Sequence, residues 1–436
     1  MESIKVALLG TGTAGGGTFR VLARNQEEIT RRAGRAIEIS LVGARDPGRA
    51  RRVVGEGVRI EPDLLRAATD PAVEIVVELI GGQERARELV LAAIAAGKHV
   101  VTANKALLAH HGNEIFAAAQ AAGVTVAFEA AVAGGIPIIK ALREGLSGNR
   151  IEWIAGIING TSNFILSEMR DRAVTFEAAL ARAQALGYAE ADPSFDVEGI
   201  DAAHKLSILS AIAFGIPMQF SKIYTEGITR LTAADIRYAE ELGYRIKLLG
   251  IARRSAAGIE MRVHPTLIPT RRLIANVEGV MNAVLVQADA VGVTLYYGAG
   301  AGAEPTASAV VADLVDVTRL HTADPENRVP HLAFQPNALA STPILPMSEV
   351  RTSYYLRLQV LDQPGVLADI TRILADRSIS IEAFLQKEPR AGQAEADIVV
   401  LTHQTLEKHV DAAIASIEAL ATVLGRVTRI RVEALG

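Results

Sequence analysis

"IKVALLGTGTAGGG", residues 4–17, decides the fold of this chain. Its first half is continuous in apolar character and stops at glycines, as a strand buried on both faces does. The glycines then fall as Gly10-x-Gly12-x-x-Gly15, with Thr13 and Ala14 inside the turn. Gly10 permits a tight turn, Gly12 lets the backbone approach a pyrophosphate, and Gly15 allows close packing of helix on strand. The helix that follows offers its free N–H groups to the same phosphates. A glycine-rich turn after a strand also occurs in α/β domains that bind nothing, so the flanking pattern decides.

That pattern is present. "IEISLVGAR" (37–45), "VEIVVELIGG" (73–82), "KHVVTANK" (98–105) and "VTVAFEAAV" (124–132) read as further buried strands. Between them, "ERARELVLAAIAAG" and "NEIFAAAQAAG" are alanine-rich, helix-periodic and closed by a C-cap glycine. Strand–helix alternation implies right-handed crossovers and a parallel sheet. The expectation is an α/β, doubly wound, Rossmann-type nucleotide-binding domain over residues 1–133, completed by part of 300–345. The end of the second strand bears on which dinucleotide. Arg45 at its tip, with Arg49, Arg51 and Arg52 behind, suits the 2′-phosphate of NADP. Asp46 beside it could instead accept from the ribose hydroxyl of NAD. NADP is the preferred reading, and a solvated basic loop is the bland one.

Beyond residue 133 the pattern loosens. Pro137 stands near a helix start, and "RIEWIAGIINGTSNFIL" reads as a strand and then a helix capped around Thr161, Ser162 or Asn163. Helices are expected at 175–186 and 201–214, and strands at 244–252, 259–264, 281–288 and 291–297. Residues 134–320 thus read as an α+β substrate-binding and dimerisation domain with a mixed sheet. Residues 321–352 carry five prolines and little periodicity, which fits a linker or a loop-rich return. In 353–436 the order strand–helix–strand–strand–helix–strand is the ferredoxin-like arrangement.

Composition narrows the function. At 436 residues, two or three domains are expected. Half the residues are hydrophobic and 22% charged, a core-forming and not a disordered balance. No apolar run reaches the ~18–20 residues of a membrane span, and the N-terminus lacks the basic region of a signal peptide. A soluble, cytoplasmic protein is expected. The net charge of −4, with signs interspersed, disfavours nucleic acid. With no cysteine, disulfides, thiolate catalysis and cysteine-ligated zinc are excluded. The nine histidines show no metal-ligand spacing.

The chemistry concentrates in "GYAEADPSFDVEGIDAAHK", residues 187–205. Glu190, Asp192, Asp196, Glu198 and Asp201 precede the single Lys205, and Gly187 and Gly199 mark bends. Asp201 and Lys205 stand four apart on an expected helix and share a face. The bland reading is a helix start enriched in acids, with an ordinary ion pair. The chemical one is a lysine, held by a carboxylate beside a nicotinamide, that moves the proton of an alcohol or aldehyde oxygen. A second carboxylate could then bind a substrate ammonium. "TANK" (102–105) lies on the carboxyl edge of the sheet, where Thr102 and Lys105 meet cofactor or substrate unless Lys105 is only a surface lysine. "NGTSN" (159–163) either binds an anionic group or caps its helix.

"AQALGYAEADPSFDVEGIDAAHK" closely resembles the signature of homoserine dehydrogenases. The resemblance extends through "GTGTAGGG", "TANKALLA", "FEAAVAGGIPII", "GIINGTSNFIL", "GAGAGAEPTASAVVADLVD" and "YYLRLQVLDQPGVLADI", essentially the whole chain. It implies interconversion of L-homoserine and L-aspartate 4-semialdehyde with NADP or NAD. It further implies Lys205 as proton donor, Asp201 orienting the substrate hydroxyl and Lys205, Glu190 on the substrate ammonium, and Lys105 between cofactor and substrate. Gly187 and Thr161 would line the substrate site, and Gly302 would close over the nicotinamide. The family also binds a monovalent cation, Na⁺ or K⁺, in a structural role. Its ligands map to Glu129 and the carbonyls of Val132, Gly134 and Ile136. Ala14 replaces the valine frequent in relatives, which bears on packing under the nicotinamide. The chain opens directly on the nucleotide fold, so the aspartate kinase fused to some relatives is not expected.

The last block resembles an ACT domain, which implies an amino-acid effector. The family suggests L-threonine, held by the amides of the Asp362–Gly365 turn at a helix start. Paired ACT domains imply a homodimer or homotetramer, and an ACT domain that only assembles subunits is the alternative. A free lysine, with a pKa of ~10.4, is protonated at neutral pH. That suits reduction, while oxidation of homoserine is expected to accelerate toward alkaline pH. Two rival functions fare worse. An aspartate-semialdehyde dehydrogenase needs the missing thiolate, and a catalytically silent sensor has no use for Asp201 with Lys205.

Overall fold

In the computed structural model, which describes residues 2–321, 324, 328–387 and 394–435, six short strands, numbered along the chain, form a parallel sheet. They are β1 (Ile4–Leu9), β2 (Ile37–Gly43), β3 (Arg59–Glu61), β4 (Ile75–Glu78), β5 (His99–Thr102) and β6 (Val126–Ala127). Their order is β3-β2-β1-β4-β5-β6, and it reverses between β1 and β4. Such a reversal opens a ligand crevice beyond the carboxyl ends of the strands. Register fixes which residues meet there: Leu9 pairs with Gly43 and with Glu78, and Glu78 pairs with Thr102.

β1 is apolar because both of its faces are covered. Val6 and Leu8 share one core with Val21 and Leu22 of the helix Thr13–Arg24 and with Val310 and Leu314 of the helix Ala303–Leu320. The strand expected over 124–132 is cut to two residues. Past Ala127 the backbone turns into a 3-10 segment, Glu129–Ala131, because the Glu129 amide donates to Asp313 Oδ2 (2.8 Å) and not to a neighbouring strand.

Contacts divide the chain into two units that do not follow the contiguous blocks 1–133, 134–320 and 353–436. The first comprises Met1–Gly160, Asp201–Ile223 and Val280–Thr342, the second Thr161–Ile200, Tyr224–Gly279 and Pro343–Gly436. Besides the parallel sheet, the first unit holds an antiparallel trio, β12-β11-β7 (Gly292–Ala299, Met281–Ala288, Ile151–Ile157). It also holds the helix Ile200–Phe214 from Asp201 onward. Every residue of that helix is buried except Ile200 and Lys205, which are partly so.

In the second unit β9 (Tyr244–Arg254) and β10 (Ile259–Pro269) form a long hairpin, and β10 also pairs in parallel with β8 (Tyr224–Thr225) and β17 (Thr428–Val432). The C-terminal block has the antiparallel order β17-β13-β15-β14, with β13 at Arg351–Leu361, β14 at Ile381–Gln386 and β15 at Glu395–Thr402. In strand sequence this is 4-1-3-2, the ferredoxin-like order. The helices Val366–Asp376 and Glu407–Glu418 close its core through Ile370, Leu374, Val410 and Ile417. Of the proline-rich return, Pro325 lies outside the described residues. Its end is tied into the second unit, where Ile259 N–H donates to Pro343 O (2.9 Å) and Leu345 N–H to Ile259 O (2.8 Å). Among the described residues no helix is long and apolar enough to cross a membrane.

Candidate active site

After β1 the chain turns at Gly10, φ +94°, where a Cβ would lie 2.8 Å from Leu79 O. Gly15 passes so close beneath this turn that a Cβ would sit 2.0 Å from Gly10 O. Only glycine fits either place. The helix Thr13–Arg24 starts at Gly12 with no acidic residue in its first turn, so its amides and dipole stay available to an anion. A cavity of about 960 Å³ opens in front, lined by Gly10, Thr11, Gly12, Arg45, Asp46 and Arg49 among others. Asp46 caps the next helix, accepting Arg49 N–H at 2.9 Å. The guanidiniums of Arg45 and Arg49 are exposed, with no partner among the described residues.

Glu78, at the end of β4, organises the rim of this crevice and is fully buried. Its Oε1 accepts the amides of Ile80 (2.9 Å) and Gly81 (3.3 Å), and its Oε2 accepts the Thr102 hydroxyl at 2.7 Å. Burial pushes this carboxyl up against the pull of those donors. Thr102 accepts the Asn104 amide, and Asn104 caps the helix that begins at Lys105. A chain of hydrogen bonds thus runs from the sheet to the first residue of that helix.

Lys105 Nζ lies 3.2 Å from Asp201 Oδ1. Asp201 Oδ2 accepts Lys205 Nζ at 2.7 Å and Asn159 Nδ2 at 2.9 Å. Lys205 Nζ also donates to Ile158 O at 2.7 Å, just past the end of β7. Burial would push the Asp201 carboxyl up, but the ammoniums of Lys205 and Lys105 and the bonds from Lys205 and Asn159 outweigh it and hold it well below the carboxylate range. One carboxylate between two lysines leaves a net positive charge. An ammonium has three N–H bonds, and two of Lys205's are spent within the protein. The third has no acceptor among the described residues.

The Glu129 corner has the opposite balance. Glu129 Oε1 and Oε2 accept the amides of Ile139 and Lys140, both at 2.9 Å. Burial and the neighbouring Glu129 push Asp313 up to about 8. Ile136 O already accepts Ile138 N–H at 2.7 Å. Gly302, φ +122°, is the N-cap of the helix Ala303–Leu320.

The other expected site residues belong to the second unit. Thr161, Ser162 and Asn163 do not cap the helix, which starts at Gly160. Their side chains tie loops together instead: Thr161 Oγ1 donates to Tyr188 O (2.7 Å), Ser162 Oγ to Asp196 O (3.0 Å), and Asn163 Nδ2 to Val277 O (3.1 Å). Gly187 turns with φ +74°. Glu190 is exposed, and its carboxylate has no cation among the described residues. Asn159, Glu78 and Asp313 went unread in the sequence. Asn159 stood inside the quoted "NGTSN", whereas Glu78 and Asp313 were signalled only as lone acids within apolar runs.

A family model described as homoserine dehydrogenase matches residues 137–315, the homoserine dehydrogenase NAD-binding domain matches 10–129, and the ACT domain matches 354–422. A homoserine dehydrogenase of Pseudomonas aeruginosa is 63% identical over 435 residues, which is 100% of both chains. The solved structure of one from Thiobacillus denitrificans superposes with a TM-score of 0.96 at 71% identity, covering 100% of this chain and 99% of that one. A hyperthermophilic archaeal one superposes with a TM-score of 0.62 at 25% identity, over 73% of this chain and 98% of its own.

Proposed function

The chain belongs to the homoserine dehydrogenase family, and we propose that Lys205 is its proton donor. The reaction is the reversible reduction of L-aspartate 4-semialdehyde to L-homoserine, in threonine, methionine and isoleucine biosynthesis. When bound, the nicotinamide cofactor would supply the hydride to the aldehyde carbon. Lys205 gives the proton to the carbonyl oxygen through its one unspent N–H, and the observation that carries this is its double tether to Asp201 and Ile158. The net positive charge of the Lys105–Asp201–Lys205 set stabilises negative charge developing on that oxygen. Lys105 lies between cofactor and substrate. The unpaired carboxylate of Glu190 takes the substrate ammonium, with Thr161 and Gly187 lining the same site and Gly302 over the nicotinamide. NADPH oxidation with L-aspartate 4-semialdehyde tests the assignment. Lys205→Ala is expected to lose 100-fold or more in kcat while still binding NADPH, and undiminished turnover would move the donor to Lys105.

NADP is the preferred cofactor, at Gly10, Gly12, Thr13, Ala14, Gly15 and Thr102. In support, Asp46 is committed to a helix cap while Arg45 and Arg49 stand unpaired on the cavity. The archaeal relative was solved in complex with NADPH. Arg45→Ala is expected to raise KM for NADPH about tenfold, one charge-assisted bond, and to leave NADH unchanged. Equal effects on both would remove the reading.

A monovalent cation fits the Glu129 corner. Glu129 and Asp313 are buried with no ion pair to either among the described residues, and the carbonyls of Val132 and Gly134 add oxygen, the donor for a hard cation. Ile136, its carbonyl already engaged, fits least. The remaining readings are an amino-acid effector, L-threonine first, a homodimer or homotetramer, and a cytoplasmic location.

A further inference from the structure

Within the first unit, the helix Lys105–Ala121 meets the helix that carries Asp201 and Lys205 at three levels. The first is the ion pair of Lys105 with Asp201. The second is a trio of rings. His110, five residues past Lys105, meets His204, three past Asp201, edge to face with centroids 5.1 Å apart. Both rings pack on Phe220, His110 at 4.9 Å and His204 at 4.4 Å, within the range of favourable aromatic contacts. The third level lies one turn further along each helix. Asn113 and the Met218 main chain exchange two hydrogen bonds, Nδ2 to O (3.1 Å) and N–H to Oδ1 (2.9 Å), and Ser207 Oγ donates to Met218 Sδ at 4.0 Å. The three levels advance along both helices together, so the segment Met218–Phe220 wedges one helix against the other.

Lys105 is the lysine that needs such a support. Lys205 is hydrogen-bonded twice, to Asp201 and to Ile158 O. The Lys105 ammonium has the single contact with Asp201, on a side chain 36% exposed, and an ion pair open to water does little to fix its own geometry. Where Lys105 stands therefore depends on how its helix is seated. His204 contributes shape there and not charge. Burial first, then His110 and the two lysines, push this buried ring down to about 4 against the pull of Asp201. Near neutral pH it is an uncharged ring, and the positive balance of Lys105, Asp201 and Lys205 is undisturbed.

We propose that His110, His204 and Phe220 form a ring clasp that positions Lys105 against Asp201, and that they serve the reduction through Lys105. This rests on the reading of Lys105, Asp201 and Lys205 as the proton-transferring set. The test is initial-rate kinetics of NADPH oxidation with L-aspartate 4-semialdehyde, with urea unfolding alongside. His110 is exposed, so the fold tolerates its loss. His110→Ala is expected to lower kcat about tenfold, the effect of a small misplacement, with KM for NADPH held within about twofold. His110→Phe keeps a ring and should bring kcat back to within about twofold of wild-type. In a Lys105→Ala background, His110→Ala should add no further loss, because residues that act through one another are not additive. Unchanged kcat in His110→Ala, with only the unfolding midpoint lowered, makes the clasp mere packing and overturns the proposal. A tenfold loss that persists in the Lys105→Ala background overturns it as well, since the rings then act by another route. Undiminished turnover in Lys205→Ala removes the underlying reading and the proposal with it, whereas the two preceding outcomes, with Lys205→Ala impaired, remove the clasp alone.

Discussion

Asp201 and Asp313 are the same residue type, both buried in the same unit, and their surroundings drive them apart. Burial disfavours the charged form of each. Asp201 has two ammoniums and an amide around it and stays ionised. Around Asp313, burial and a second carboxylate outweigh an amide and the weaker pull of Lys140 and Arg143, and push it up to about 8. The placement of cations, and not depth, decides which carboxylate carries charge. The paired one belongs to the set proposed to move a proton, and the unpaired one to the corner proposed to hold a cation.

The contrast breaks most visibly at Asp201. Asp201→Ala leaves Lys105 and Lys205 without their shared counter-charge. Removing one partner of a buried pair costs about 3–5 kcal/mol, and kcat is expected to fall 100-fold or more with Lys205 left to its single bond to Ile158 O. Urea unfolding and initial rates check both. A variant as stable and as fast as wild-type would show that the carboxylate is an ornament of the helix start.

Asp313→Asn is the converse, and its effect depends on pH. An aspartate with a folded pKa of about 8 and an unfolded value of ~3.9 binds more protons when folded. Its contribution to stability is fully present below the unfolded value and is lost as pH rises through about 8. Wild-type is therefore expected to lose a few kcal/mol between pH 5 and 9 at that group, on the order of 1.4 kcal/mol per unit. Asp313→Asn, which mimics the protonated form, should flatten that slope and change little at pH 5. Urea unfolding at several pH values reads this directly. Repeating it with K⁺ or Na⁺ in place of a bulky organic cation sharpens the comparison, since a cation bound at Glu129 would flatten the wild-type slope too.

The contrast also marks how far the sequence could be read. The sheet was legible because β1 and its glycines obey short-range rules, and Asp201 with Lys205 because four residues along a helix is a fixed geometry. The strand expected over 124–132 failed where local pattern gave way to a distant partner, Asp313, taking the Glu129 amide. The caps expected of Thr161 to Asn163 failed likewise, since their side chains bind carbonyls up to 116 residues away. Lys105 and Asn159 converge on Asp201, and the neighbouring Ile158 carbonyl on Lys205, from two separate stretches of chain, and no spacing rule encodes that meeting. The units of contact cross the contiguous blocks for the same reason: β17 pairs with β10, about 165 residues earlier, a parallel pairing for which spacing gives no rule.

The smallest effect is expected at Glu78, a third buried carboxylate, whose charge is met by hydrogen bonds alone. Thr102 and the amides of Ile80 and Gly81 all donate to it, and Glu78→Gln turns one accepting oxygen into a donor. At about 1 kcal/mol per hydrogen bond lost, the rim of the nucleotide crevice should loosen and KM for NADPH rise about five- to tenfold. The Lys105–Asp201–Lys205 set keeps its own bonds, so kcat should stay within about twofold. Initial-rate kinetics separate the two parameters. If kcat falls while KM holds, the chain Glu78–Thr102–Asn104 is acting on Lys105 and not on the crevice, and Glu78 then joins Asp201 as a carboxylate that orients a lysine, at one remove.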